Sequence, residues 1–190
     1  MTAKFKMKRG FTLIETLVAV MILATAVAGP LSIASRALNT SLVAKDQITA
    51  FFLAQDAVEY VRFVRDTNTL EGNDWLSGTG GATAGIDLTP CQGASGCYVD
   101  STMAVSGVAD TPTACDSGSG CPVMYYDNTN SRFTYDTGGS NVSKTLFTRT
   151  ILLNNISATE QQLTVTISWS DLGGVTRRVN VYENLFQWQG

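Results

Sequence analysis

Apolar residues run almost unbroken from Phe11 to Ser35, recur at helical spacing as far as Arg65, give way to glycine and serine, and finally alternate with polar residues two by two. Each regime predicts a different element. The first stretch holds one ionisable side chain, Glu15, in 25 residues. As a helix it would measure about 37 Å, enough to cross a hydrocarbon core of roughly 30 Å. Between Leu31 and Arg65 there is neither proline nor glycine, so the helix is expected to run on. Phe51, Ala54, Val58 and Val61 advance by three and four residues, with Lys45, Asp46, Gln55, Asp56, Glu59 and Arg62 between them. That spacing predicts an amphipathic half with its apolar stripe on a core. Asp66-Thr67-Asn68-Thr69 is the expected break, which makes the whole helix about 84 Å long.

Strand periodicity takes over after residue 122. Pro122–Tyr126 and Arg132–Tyr135 flank Asp127-Asn128-Thr129-Asn130, a hairpin with turn chemistry in its linker. Thr145–Leu153 is read as a third strand. In Leu163–Trp169, the residues Leu163, Val165, Ile167 and Trp169 share one face and Thr164, Thr166 and Ser168 the other. Asp171-Leu172-Gly173-Gly174 turns the chain into Val175–Phe186, where Val175, Val179 and Val181 are expected to continue the buried face, with Arg177 as an exception. Short connections imply antiparallel pairing. A helix and a sheet with one apolar face each cover one another, so the expected class is α+β.

Residues 69–122 read as a loop region, rich in glycine, serine and threonine. They contain Cys91, Cys97, Cys115 and Cys121, two cysteine pairs that each bracket five small or polar residues. Three pairings are open, and the intervening glycines favour the two local bridges. Zinc fits poorly, because five intervening residues exceed the usual spacing and the chain has no histidine.

Charge narrows the function classes. Residues 11–190 carry nine Lys and Arg against sixteen Asp and Glu, a net −7 with no basic stripe, which argues against nucleic-acid binding. No histidine and no phosphate-binding glycine loop are present, so neither an enzyme nor a cofactor is expected. Asp87, Asp100, Asp110, Asp116, Asp127 and Asp136 sit mostly beside Gly, Ser, Thr or Asn and are read as turn residues. Tyr98, Tyr125, Tyr126 and Tyr135 are candidates either for core packing or for an adhesive surface.

The octet Lys8-Arg9-Gly10-Phe11-Thr12-Leu13-Ile14-Glu15 gives the apolar run its meaning. A carboxylate near hydrocarbon costs a few kcal/mol, and a secretory cut after Ala28 would leave Glu15 without a purpose. The octet resembles the type IV prepilin signal. That resemblance implies cleavage between Gly10 and Phe11 by a prepilin peptidase, N-methylation of Phe11, and a role in assembly for Glu15. It divides the chain into a leader (1–10), a membrane half of the helix (11–35), an amphipathic half (36–68), the disulfide loop region (69–122) and the sheet (123–190). Lys4, Lys6, Lys8 and Arg9, with no cation before Arg36, place the N-terminus in the cytoplasm. Pro30 is expected to kink the helix or loosen a turn, and resembles the site where pilin helices loosen on assembly. The apolar helix is most similar to minor pilins of the PilV type. Type II secretion or competence pseudopilins and a filament-displayed adhesin are the alternatives. Implied partners are major and minor pilins, the peptidase, an inner-membrane assembly platform, and lipid before assembly.

Overall fold

The computed structural model describes residues 10–101, 111–139, 141–171 and 173–188. Helix α1 spans Leu13–Leu70 and stays helical through Pro30. It contributes to two compact units, which divide between Lys45 and Asp46. In the first unit every described residue up to Leu42 is exposed. In the second, α1 buries Ala50, Leu53, Ala54, Ala57, Val58, Tyr60, Val61 and Val64.

The alanines set that stripe. Ala50, Ala54 and Ala57 are fully buried, and their small side chains let the helix backbone lie close to the layer beneath. Phe51, expected on this face, is instead 46% exposed. Ala54, Val58 and Val61 are buried as expected, and Ala50, one residue and about 100° away around the helix, takes the place expected of Phe51. The expected break at Asp66-Thr67-Asn68-Thr69 also does not occur. Asn68 is buried, donates to the carbonyls of Ile86 and Trp75, and accepts from the Ile86 backbone N–H at 3.0 Å. A residue that competes with the backbone in an isolated helix is held here by a loop that arrives eighteen residues later.

Within the region read as loop, a short 3-10 turn (Thr89–Gln92) and two short strands appear, β1 (Cys97–Tyr98) and β2 (Thr113–Ala114). The strands that follow are β3 (Val123–Asp127), β4 (Arg132–Thr134), β5 (Val142–Ser157), β6 (Glu160–Ser170) and β7 (Thr176–Phe186). The expected hairpin is β3 and β4, with Tyr126 opposite Phe133. All described pairings are antiparallel. Strand β5 organises the sheet. Thr148 pairs with both Val123 and Ser168, and Ile151 with both Cys97 and Val165. Hence β1 and β3 share one edge of β5 while β6 takes the other, and β7 lies outside β6.

Alternation places Phe147, Arg149, Ile151 and Leu153 of β5 and Leu163, Val165, Ile167 and Trp169 of β6 in the core. Strand β7 departs from expectation. Val175 lies outside the strand at 56% exposure, Val179 and Val181 are half-buried, and Leu185 is the fully buried residue. As an edge strand, β7 lacks a covering neighbour on one side, so its apolar residues are screened only in part. The result is a long N-terminal helix packed, through its second half, on an antiparallel sheet with a disulfide-bearing region between them.

Candidate functional site

Two places concentrate the chemistry that the sequence singled out: the start of α1 and the segment around the cysteines. Thr12 caps the helix. Its side-chain oxygen accepts from the Glu15 backbone N–H at 3.3 Å, and its carbonyl accepts from the N–H groups of Glu15 and Thr16. Threonine is a favoured residue for this position, and the cap places Glu15 in the first helical turn. The Gly10–Phe11 peptide lies before that turn, outside the helix. Gly10 has no heavy atom within 4 Å of where a Cβ would project, and Phe11 is 80% exposed. The leader cations Lys4, Lys6, Lys8 and Arg9 lie outside the described residues.

From Leu13 to Leu42, α1 is exposed along its whole length. It is long and apolar enough to cross a membrane, and its most apolar window has no buried residue. The hydroxyls of Thr16 and Thr25 turn back onto the carbonyls of Leu13, Met21 and Ile22. Those bonds remove the hydroxyls as a cost in an apolar surrounding. Glu15 makes no such internal bond among the described residues. The helix start thus presents a carboxylate about one turn from the residue that cleavage would make N-terminal.

The cysteine segment is built on close backbone approach. Cys91 pairs with Cys97 and Cys115 with Cys121, across six positions each. Gly96, beside the first bridge, has φ +68°, and a Cβ there would meet the Ile151 carbonyl oxygen at 2.6 Å. Glycine is therefore required both by conformation and by space. This docks β1 on β5 and brings Val99 and Asp100 to the helix–sheet boundary.

At that boundary stands Arg149, 1% exposed and unassigned by the sequence reading. Its guanidinium donates to the Asp56 carboxylate at 2.7 Å, the Val99 carbonyl at 2.6 Å and the Leu53 carbonyl at 3.3 Å. Ser101 also donates to the Asp56 carboxylate. A buried cation needs this degree of pairing. Asp100 is likewise not a turn residue. It is buried, and its carboxylate accepts from the Thr134 hydroxyl and the Tyr135 N–H. Burial pushes the Tyr135 phenol above its ordinary pKa, opposed by the Arg149 charge. The Tyr98 and Tyr135 rings pack in a tilted arrangement with centroids 4.8 Å apart, which draws both into internal packing. Of the remaining aspartates, Asp87, Asp116, Asp127 and Asp136 accept backbone N–H groups two residues on, as turn chemistry requires, and Asp110 lies outside the described residues. The missed signal was the alternation itself, since Arg149 holds a core position between Phe147 and Ile151.

Residues 5–29 match a family model described as the prokaryotic N-terminal methylation motif. With the long apolar helix and the antiparallel sheet behind it, the chain is pilin-like. No curated protein and no solved structure matches it. The motif points to a structural protein that assembles with other pilins after processing by a prepilin peptidase, and the apolar helix suggests a membrane anchor.

Proposed function

We propose that this pilin-like chain is a minor structural subunit of a type IV pilus. Prepilin peptidase cuts between Gly10 and Phe11 and the new N-terminus is methylated. Before assembly the chain sits in the inner membrane with its N-terminus in the cytoplasm, and the sheet domain outside. An assembly platform then moves it into a filament of major and minor pilins. The observation that carries this reading is a capped helix start with Glu15 in its first turn, on an apolar helix exposed along its first half. The Phe11 amine of the mature chain lies about 6 Å along the helix axis from Glu15. In a bundle of such helices, Glu15 of an incoming subunit pairs with the terminal amine of a neighbour and fixes the register of addition. An unpaired buried charge costs about 3–5 kcal/mol.

The test is mass spectrometry and quantitative immunoblotting of sheared filaments. The mature chain is expected to begin at methylated Phe11. Glu15→Ala is expected to be inserted and cleaved normally but to fall at least tenfold in the filament fraction. Normal incorporation of Glu15→Ala would remove the charge-pairing role. Recovery only with a secretion or competence apparatus would reassign the chain to the pseudopilins.

A further inference from the structure

Among the described residues, the sheet ends in three edge strands of unequal length. Strands β2 and β4 offer two and three residues, whereas β7 offers eleven, Thr176–Phe186, with neither proline nor glycine among them. At the two ends of β7, the Asp171 N–H donates to the Val175 carbonyl and the Gln187 N–H to the Thr159 carbonyl. The β6–β7 register is unbroken between those bonds. Odd-numbered residues of β7 therefore turn their backbone groups toward β6, and Thr176, Arg178, Asn180, Tyr182, Asn184 and Phe186 turn theirs to the open edge. Among the described residues β7 pairs with β6 alone. A long unbroken edge of this kind is a template for another strand.

The residues of β7 say which strand fits. In an antiparallel pair that continues the sheet, side chains directly opposite share a face, so a strand meets its own copy with even positions against even ones. Centred on Asn180, such a pair sets Arg177 against Glu183 on the helix side, twice by symmetry, with Val179 against Val181 beside them. On the other side it sets Arg178 against the Tyr182 ring, a cation–π arrangement. Within its own chain Arg177 donates to Asp171 at 2.8 Å, and Glu183 accepts from Arg62 at 2.7 Å. The new contact joins these into a row of alternating charge, Asp171, Arg177, Glu183 and Arg62. Centring on Val181 instead sets Glu183 against Val179, and centring on Val179 sets it against Val175. Only the Asn180 centre opposes the two charges, and only β7 itself is long enough to match.

We propose that β7 pairs antiparallel with β7 of a second copy of this chain, about a two-fold axis at Asn180 that stands normal to the sheet. Residues Thr176–Asn184 of each copy take part, with about ten backbone hydrogen bonds across the seam. The axis reverses whatever lies along the sheet, including the second half of α1. The paired copies point in opposite directions, so they are not neighbours within one filament of the kind proposed above. The pairing links chains of opposed orientation, and it stands or falls separately from filament assembly.

The test uses the full chain in detergent. Light scattering is expected to show a dimer that dissociates on dilution. The native cysteines are bridged, so Asn180→Cys adds one free thiol, which faces its own copy across the axis at about 5.5 Å between Cα atoms. A short bismaleimide is expected to capture it. Asn184→Cys lies opposite Thr176, about 27 Å along the strands from its counterpart, and is expected to give no cross-link. Asn180→Pro removes an N–H that β6 does not use and is expected to leave monomer with unchanged far-ultraviolet circular dichroism. Glu183→Lys is expected to raise the dissociation constant about tenfold. A chain monomeric at every concentration, equal cross-linking of the two cysteine variants, or a dimer indifferent to both Asn180→Pro and Glu183→Lys would overturn the proposal.

Discussion

The two halves of α1 have similar helical backbones and opposite relations to their own chain. In the first, Leu13, Ile14, Leu17, Val20 and Ile22 are each at least 61% exposed. In the second, Leu53, Val61 and Val64 are at most 5% exposed. The second half is stabilised from inside, by the sheet. The first has no buried residue up to Leu42, in keeping with the membrane anchor that its apolar sequence suggests. Hydrophobicity alone therefore does not identify a core. What separates the halves is the presence of a facing sheet, since alanines are as frequent in the exposed half as in the buried one.

The contrast can be broken most sharply by paired truncations. Leu163→Ala, in the core, is expected to destabilise the sheet domain by about 2–5 kcal/mol, while Leu17→Ala leaves its unfolding transition unchanged. Chemical denaturation of the detergent-solubilised chain, followed by tryptophan fluorescence, checks both; equal effects would remove the distinction. A smaller effect is expected from the bridges. By loop-closure entropy each short bridge restricts the unfolded chain by roughly 2–2.5 kcal/mol. Replacing Cys91 and Cys97 by serine is expected to cost more than replacing Cys115 and Cys121. The first pair is fully buried and docks β1 on β5, whereas Cys121 is only partly buried. Thermal melts of the two double variants give the order.

The smallest expected effect is on acid sensitivity. The Asp74 carboxylate accepts from the Ser77 backbone N–H at 2.8 Å, which holds its pKa below the ordinary value of 3.8. A depressed folded-state pKa means that the unfolded chain binds the proton first. The stabilisation is therefore complete above about pH 4 and declines as pH falls further. Asp74→Asn is expected to flatten the fall in Tm between pH 5 and pH 3 without affecting the helix start. An unchanged slope would show that this loop does not contribute to acid stability.

Most of the local patterning was legible in the sequence. The octet at the N-terminus, the helical run, the β3–β4 hairpin and the inward face of β6 all follow from spacing along one segment. The misses share a cause, which is that distant segments decide them. Phe51 and Ala50 are equally plausible on a helical wheel, and only the approach of the sheet selects the alanine. Arg149 finds Asp56 ninety-three residues away, a partner that the spacing along its own strand cannot name. Asn68 carries the composition of a helix end and continues the helix because Ile86 returns to bond with it.

That return has an evolutionary side. A Cβ at Gly85 would stand 2.2 Å from the Asn68 side-chain oxygen, and one at Gly78 would meet the backbone of Gly85 and Ile86 at 2.7–2.9 Å. At Gly93 the nearest atom is an ordinary 3.7 Å away. Substitutions will not be tolerated evenly across this glycine-rich stretch. Gly93 has room to drift, while a side chain at Gly85 needs Asn68 to give way and one at Gly78 is opposed both by the backbone it would meet and by a φ of +64°.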